Sequence, residues 1–156
     1  NNFSWKNLSA TLGFSYIGRY NLYSEVKTFQ HTDLPKFNWS PELTSNIIFR
    51  LPKLGAEAGF FYKFTGKLPS YNTAFNQSGQ TDVFLSKLAS YHWADVTLSK
   101  NLFKYVTLQG GVKNLFDVVR LANTSESTTH SSGGPILTAY GRSYFVGLNF
   151  QWTRNK

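Results

Sequence analysis

The segment Leu54-Gly55-Ala56-Glu57-Ala58-Gly59-Phe60-Phe61-Tyr62-Lys63-Phe64-Thr65 decides the fold class, because apolar residues recur in it at every second position. A period of two is the period of a β-strand, whose successive side chains point to opposite faces of the sheet. One face of this strand is predicted to present Leu54, Ala56, Ala58, Phe60, Tyr62 and Phe64. The segment is also longer than a typical strand of about 5–6 residues.

Five other segments alternate with the same period, so the sequence predicts six strands in all. The other five are 8–16, 43–51, 94–99, 106–113 and 143–152. Several of them reach the ~9–11 residues that cross an outer membrane at a tilt. No segment approaches the ~18 consecutive apolar residues of a transmembrane helix.

The predicted connections between strands alternate in length. Short turns fall at 51–54 and 100–105, whereas 21–41, 69–90 and 120–140 are long loops. Tight turns at one end and extended loops at the other are typical of outer-membrane β-barrels. The predicted fold class is therefore all-β, an antiparallel transmembrane β-barrel.

The charged residues of the predicted strands support an aqueous lumen on one side of the sheet. Four of them fall in the polar phase of the alternation: Glu57, Lys63, Asp95 and Lys113. A lysine that faced lipid near the midplane would cost about 2–4 kcal/mol, and an acidic residue less. Phe61 and Phe145 also fall in the polar phase, so this face is not predicted to be uniformly polar.

A soluble antiparallel sandwich also alternates, with its apolar face turned to a core. Aromatic residues near the predicted strand ends favour the barrel, because an aromatic girdle belongs at the two membrane interfaces. These residues are Trp5, Tyr16, Tyr20, Trp39, Tyr62, Tyr71, Tyr91, Trp93, Tyr140, Tyr144 and Trp152.

The composition narrows the class of protein further. Aromatic residues make up 17% of the 156 residues and charged residues only 15%, which is below the roughly 25% of soluble domains. The absence of Cys excludes disulfides and thiolate metal sites. The net charge of +8 is scattered along the chain and forms no nucleic-acid module. The absence of Met predicts a processed product or a fragment.

Three segments of the C-terminal half resemble TonB-dependent outer-membrane receptors. Gly111-Val112-Lys113-Asn114-Leu115-Phe116-Asp117 is similar to the G-V-x-N-L-F-D segment of that family's penultimate strand. The segment 141–150 resembles the closing strand, G-R-x-x-x-x-G-L-x-x, and 91–99 resembles the strand before these two. The polar tail 153–156 departs from the family, in which an aromatic residue commonly ends the chain.

The resemblance implies a particular architecture, activity and set of partners. The chain would be the C-terminal part of a 22-stranded barrel that encloses an N-terminal plug domain. Its function would be TonB-dependent import of a scarce nutrient (siderophore, haem, cobalamin, oligosaccharide or peptide) across the bacterial outer membrane. Its partners would be outer-membrane lipid, the rest of the barrel and the plug, the TonB complex and, as in the Bacteroidetes type, a surface lipoprotein.

Ligand-binding candidates lie in the predicted loops: His31, Tyr71, Asn72 and His130. Loop histidines can ligate the iron of haem, although no ligand spacing supports coordination and solvated loop residues are the plainer interpretation. Tyr71 and Asn72 can stack on and hydrogen-bond a polar ligand such as a sugar. No catalytic constellation or phosphate loop occurs, so neither an enzyme nor a cofactor is predicted.

Two alternative functions stay open at this point. One is an intact small outer-membrane barrel of about eight strands with a structural or adhesive role, which would need two more strands from the long loops. The other is a soluble β-sandwich that binds a ligand. Dependence on detergent would separate the sandwich from both barrels, and the intact mass would separate the two barrels.

Overall fold

The computed structural model describes residues 2–25, 34–75, 81–123 and 135–151, and these form eleven β-strands and two short 3₁₀ turns. The strands are β1 Asn2–Trp5, β2 Leu8–Tyr20, β3 Phe37–Leu51, β4 Ala56–Thr65, β5 Leu68–Phe75, β6 Thr81–Leu88, β7 Tyr91–Phe103, β8 Val106–Lys113, β9 Arg120–Leu121, β10 Ile136–Leu137 and β11 Ser143–Phe150. The 3₁₀ turns are Leu22–Glu25 and Pro52–Leu54. Within these residues no helix is long and apolar enough to cross a membrane.

Seven of the strands form one antiparallel sheet, in the order β1-β2-β3-β4-β7-β8-β11. The all-β, antiparallel prediction is therefore confirmed. The sheet is not closed, because β1 and β11 lie at its two opposite edges. The six predicted strands all lie in this sheet, but the predicted count was wrong because the sheet has a seventh strand, β1. With only four residues, β1 is too short to give a periodic signal.

The connections alternate in length as predicted. Residues 6–7, 52–55 and 104–105 join neighbouring strands at one end of the sheet, which we call the short-turn end. Residues 21–36, 66–90 and 114–142 join strands at the other, long-connection end. Two of these connections contain separate hairpins, β5–β6 and β9–β10, where the sequence predicted only loops.

The register divides the main sheet into a polar face and an apolar face. Glu57 lies opposite Arg50 and Ser99, and Lys113 lies opposite Ser143. Asp95 and Lys63 share this polar face, so the predicted phase of all four charges is confirmed. Lys100 is the exception, because it falls in the apolar phase between Ala56 on β4 and Leu108 on β8.

Phe145 occupies the polar face for a local steric reason. It lies opposite Gly111, whose missing side chain leaves room for the ring, and a Cβ added there would lie 2.9 Å from the Phe145 ring. The Lys113 ammonium lies 5.6 Å from the centre of the same ring. The aromatic side chain therefore fills space above a glycine and shields the strands beneath it.

The apolar face is exposed. The only buried apolar side chains in the described part of the chain are Val83, Ala94 and Leu121, none of which forms a core beneath the sheet. Phe14 is 71% exposed and Phe150 is 74% exposed. Other exposed apolar residues on this face are Phe3, Trp5, Leu12, Tyr16, Tyr20, Phe37, Trp39, Leu43, Phe49, Leu98, Leu108, Tyr144, Val146 and Leu148. No second layer of the described chain covers this surface.

Aromatic rings gather where β2 and β3 approach the long-connection end. Tyr16 and Trp39 stack with centroids 5.2 Å apart, and Trp39 lies 6.1 Å from Phe37. The Trp39 ring also covers Gly18, where an added Cβ would lie 2.8 Å from it. Flat, amphipathic rings in this position are typical of a boundary between an apolar and an aqueous medium.

Pro41 lies inside β3, although the sequence predicted that a loop extended as far as this residue. The Gly66 amide donates to the Pro41 carbonyl oxygen at 2.8 Å. In a hydrogen-bonded antiparallel pair, the two opposite residues exchange two N–H···O=C hydrogen bonds. Proline has no N–H, so it cannot donate the second of these bonds. The ladder between β3 and β4 therefore ends at Glu42 and Thr65, while β3 continues its pairing with β2 as far as Phe37.

Candidate functional site

Of the four predicted ligand-binding residues, Tyr71 alone has a described side chain. It lies on β5, where its hydroxyl accepts a hydrogen bond from Asn38 Nδ2 at 2.6 Å and its ring lies 5.4 Å from Tyr23. Burial raises the pKa of Tyr71, and the hydrogen bond from Asn38 opposes that rise. Asn72 follows on β5, with a side chain outside the described part. His31 and His130 lie outside the described residues.

The contacts of Tyr71 place the β5–β6 hairpin against the long-connection end of β3. Asn38 is buried on the polar face of β3, directly opposite Arg19 of β2. The base of the hairpin, where β6 ends, is held by the residues that follow β9, because the Ala89 amide donates to the Ala122 carbonyl at 2.8 Å and Leu88 forms a bridge with Asn123. Segments from two long connections therefore meet at this end of the sheet.

Beneath this cover lie five residues that we call the upper polar cluster: Arg19, Ser40, Glu42, Lys63 and Thr65. The strand register places all five on the polar face of β2, β3 and β4. Glu42 accepts from Lys63 Nζ at 3.1 Å and from Arg19 Nη2 at 3.5 Å. Two cations and one anion leave the cluster with one net positive charge.

Part of the upper polar cluster lacks hydrogen-bond partners. Ser40 is 0% exposed and Thr65 is 2% exposed, yet neither hydroxyl has a hydrogen-bond partner among the described residues, and the buried Nη1 of Arg19 has none there either. A buried polar group without a partner costs about 1–3 kcal/mol. Because nearly all such groups in proteins are paired, three unpaired groups together mark the upper polar cluster as a candidate ligand-binding site.

The chemistry of the upper polar cluster suits a polar ligand. The guanidinium of Arg19 and the ammonium of Lys63 are donors with positive charge, and a hydroxyl can both donate and accept. The cluster could therefore hold a carboxylate, a phosphate or the hydroxyls of a sugar. Sequence reasoning identified Lys63 only by its phase and missed Ser40, which it placed in a loop.

His92 lies on the opposite, apolar face at the start of β7. Its Nδ1 lies 2.7 Å from the Tyr62 hydroxyl, and its ring packs between Phe64 and Phe116 at 5.0 and 6.4 Å. The described residues include no group of three His, Cys, Asp or Glu side chains placed to hold a metal ion. His92 is part of an aromatic cluster at the rim of the apolar face.

The G-V-x-N-L-F-D segment forms a second polar site, which we call the Asn114 turn and which comprises Asn114 to Val118 with Gly141 and Arg142. Asn114 is 1% exposed, and its side chain bridges the amide and the carbonyl of Val118, both at 2.9 Å. Its own amide donates to Asp95 Oδ1 at 2.8 Å. Asp117 accepts from the Arg142 amide at 2.7 Å, and Arg142 Nη2 donates to the Leu115 carbonyl at 2.7 Å.

The Asn114 turn explains why these residue types occur at these positions. Asn114 and Asp117 have φ of 55° and 56°, in the left-handed region that Asn and Asp tolerate better than most residues. The turn joins the end of β8 to the start of β11 through two segments far apart in sequence. Two of the three segments that carry the resemblance, 111–117 and 141–150, thus meet in one structural unit.

Comparison with protein-family models, with curated proteins and with solved structures gave no match.

Proposed function

We propose that the seven-stranded sheet is part of the wall of a β-barrel in the bacterial outer membrane, and that this barrel is a TonB-dependent receptor that imports a scarce nutrient. The observation that supports the membrane most directly is the exposed apolar face. Exposed apolar patches on soluble monomers rarely exceed a few hundred Å². Here exposed apolar side chains from six of the seven strands, from Phe3 on β1 to Phe150 on β11, lie on one face of the sheet.

Strand length and connection length agree with this placement. β2 and β7 have 13 residues and β3 has 15. At about 3.3 Å per residue and a tilt of ~45°, 13 residues span roughly 30 Å of membrane thickness. The short-turn end would face the periplasm and the long-connection end the exterior. The upper polar cluster would then open toward the exterior side of the lumen.

The open edges favour a large barrel over an intact small one. Unpaired backbone groups at β1 and β11 would each cost several kcal/mol in hydrocarbon, so each edge needs a neighbouring strand. The hairpins β5–β6 and β9–β10 pair within themselves and do not extend either edge. The remaining strands of a larger barrel would supply both neighbours.

Import as the activity rests on the family resemblance of 91–99, 111–117 and 141–150, now joined by the upper polar cluster as a place for a polar nutrient. In the family, transport is driven from the inner membrane through TonB. The barrel itself would do no chemistry, and selectivity would come from side chains of the lumen and the loops.

A matched pair of single cysteines tests the membrane placement, since the chain has no cysteine of its own. Phe14→Cys and Ser15→Cys place a fluorescent label on exposed neighbouring positions of opposite faces. In vesicles, a nitroxide carried by lipid should quench the label at 14, and a water-soluble quencher should quench the label at 15. Equal quenching of both labels by the aqueous quencher, with none from lipid, would exclude the membrane wall.

Uptake by cells tests the import function. Cells that produce the complete polypeptide would be given a labelled ferric siderophore, haem, cobalamin, an oligosaccharide or a peptide. One class should accumulate, and only while the proton-motive force is intact. The double variant Arg19→Gln/Lys63→Gln should reduce this uptake at least tenfold, with Arg50→Gln/Lys113→Gln, which removes two cations elsewhere on the polar face, as the charge-matched control. Uptake no greater than in cells lacking the protein, for all five classes, would contradict import.

The intact mass of the species in outer-membrane fractions tests the size of the barrel. A mass several-fold above 17.7 kDa would support the larger barrel. A mass near 17.7 kDa would favour the small barrel instead.

A further inference from the structure

The short-turn end of the sheet carries an unneutralised group of lysines. Each short turn has one exposed lysine, Lys6, Lys53 or Lys104, and Lys100 is exposed close to the same end. None of the four forms an ion pair within the part of the chain that the structure describes. The carboxylate of Glu57 is near, but it lies on the polar face and pairs with Arg50 at 3.1 Å.

Lys100 has an unusual position among the charged residues. It is the one Lys, Arg, Asp or Glu of the seven main-sheet strands that falls in the apolar phase. A charge on a lipid-facing surface is tolerated near the interface, where its cost falls to about 0–1 kcal/mol. A lysine in this place can extend its long side chain toward the headgroups while its methylene stem covers apolar surface.

Two neighbouring turns bring further lysines close to Lys100. The amide of Asn101, the next residue along β7, donates to the Gly55 carbonyl at 2.8 Å. This bond holds the turn that contains Lys53 against the end of β7. Lys104 lies in the following turn, where its ammonium lies 5.2 Å from the centre of the Tyr105 ring. Lys53, Lys100 and Lys104, which we call the lysine rim, therefore lie on neighbouring strands and turns in the middle of the short-turn end.

An apolar groove begins beside Lys100 and runs up the apolar face. It has a volume of about 380 Å³ and includes Ala56, Ala58 and Gly110, whose small side chains leave a hollow between larger neighbours. Leu51, Leu98, Leu108 and Val146 also line it. The groove and the lysine rim together match the two parts of a phospholipid, its apolar acyl chain and its charged headgroup.

We propose that the lysine rim and the groove together bind one anionic phospholipid of the inner leaflet, with its phosphate at the rim and an acyl chain in the groove. This proposal rests on the proposed membrane placement of the sheet. Charge complementarity selects the ligand, because three cations that form no ion pair among the described residues attract an anionic headgroup more strongly than a zwitterionic one. The aromatic ring of Tyr105 lies at the level where amphipathic rings meet headgroups.

The test measures which lipid lies next to the groove. A fluorescent label at Leu98→Cys, in the complete polypeptide reconstituted in phosphatidylcholine vesicles, is quenched by nitroxide-labelled phosphatidylglycerol or by nitroxide-labelled phosphatidylcholine. We expect phosphatidylglycerol to be preferred by at least fivefold, which is roughly the contribution of a single lysine near a headgroup. A label at Leu12→Cys, on the apolar face of β2, should show no preference.

Variants assign the preference to the lysine rim. The triple variant Lys53→Gln/Lys100→Gln/Lys104→Gln should abolish the preference for phosphatidylglycerol. The variant Lys113→Gln, which removes a lysine from the polar face, should leave the preference unchanged. If the triple variant does not fold, the single variant Lys100→Gln should still weaken the preference. A rise in salt from about 0.05 to 0.5 M should weaken it too, because the Debye length becomes shorter as the ionic strength rises. Equal quenching by both lipids would overturn the lipid site and leave the membrane placement standing. Quenching by neither lipid would overturn the membrane placement itself.

Discussion

The upper polar cluster and the Asn114 turn are both buried polar sites at the long-connection end of the same sheet, but their hydrogen bonding differs. Every group of Asn114 that could seek a partner has one, on β7 or within the turn. In the cluster, the hydroxyls of Ser40 and Thr65 are as deeply buried and have no partner in the described part of the chain. The same sheet thus contains one site whose polar groups fix the backbone, and one in which buried hydroxyls lack a hydrogen-bond partner among the described residues.

This difference in hydrogen bonding suggests different roles for the two sites. A satisfied polar network specifies a unique arrangement of the chain, and its loss is costly. Unsatisfied groups lower stability and persist where a partner is met later, such as a ligand. We therefore propose a structural role for the Asn114 turn and ligand binding for the upper polar cluster, although two of the three segments that carry the resemblance meet in the turn.

The largest expected effect is the loss of the Asn114 side chain. Asn114→Ala would leave the Val118 amide and carbonyl without their bridge and would place alanine at a φ of 55°. We expect the free energy of unfolding to fall by about 3 kcal/mol, measured by denaturant titration in detergent micelles. Asn149→Ala, which removes one exposed hydrogen bond to Gln109, should cost less than about 1 kcal/mol. Similar losses for both would mean that the turn is not a special structural unit.

A second prediction extends the comparison down β8 toward the middle of the sheet. In Gly111→Ala the new Cβ would collide with the Val96 carbonyl oxygen and press on the Phe145 ring. Overpacking of this kind costs about 1–3 kcal/mol. Gly147→Ala is the matched control, because a Cβ there would meet no atom within 4 Å. The same titration should find no loss at position 147, and a loss of equal size there would contradict the packing argument.

The upper polar cluster predicts an effect of the opposite sign. Ser40→Ala and Thr65→Val remove hydroxyls for which the described residues offer no partner, so we expect the free energy of unfolding to stay constant or rise by up to about 1 kcal/mol. Ser86→Ala is the control, because Ser86 Oγ donates to the Ser70 carbonyl at 3.1 Å and its loss should destabilise. A clear loss of stability at both 40 and 65 would show that these hydroxyls are already satisfied, and the contrast between the two sites would disappear.

The smallest effect concerns the cover of the upper polar cluster. Burial raises the pKa of Tyr71 in the folded chain, so the unfolded chain releases this proton first, from an ordinary pKa of 10.0. The resulting stabilisation is complete below that pH and is lost as the pH rises through the folded pKa. Tyr71→Phe should flatten the fall in stability seen in unfolding curves between about pH 9 and pH 11. An unchanged slope would mean that the phenol is exposed.

The sequence predicted the strands that alternate cleanly and missed those that do not. β4 and β8 were predicted almost to the residue, because apolar residues recur in both at every second position. The first part of β3, as far as Pro41, was assigned to a loop, and the structure shows that Pro41 lies where the pairing of β3 with β4 ends. The β5–β6 hairpin was missed because its strands, with Pro69 and several polar residues, carry no sustained period.

The candidate site was less accessible to sequence reasoning. Tyr71 was identified from its residue type, but the upper polar cluster depends on register, which joins Arg19 to Asn38 and Glu42 to Thr65 across strands distant in sequence. The phase of Ser40 and Glu42, opposite to Trp39 and Leu43, was the available signal. The roles proposed for His31 and His130 stay predictions.

The early end of the β3–β4 ladder at Pro41 has a mechanical consequence. Beyond this point β2 and β3 form a two-stranded ribbon, from Ile17 opposite Ser40 to Tyr20 opposite Phe37, that is no longer clamped by β4. A ribbon with one backbone neighbour bends more easily than a strand held on both sides. Residues added to the connection between Tyr20 and Phe37 would lengthen the ribbon in opposed pairs and leave the register below unchanged. Such a design allows the outer part of a binding surface to diversify while the wall that supports it stays constant.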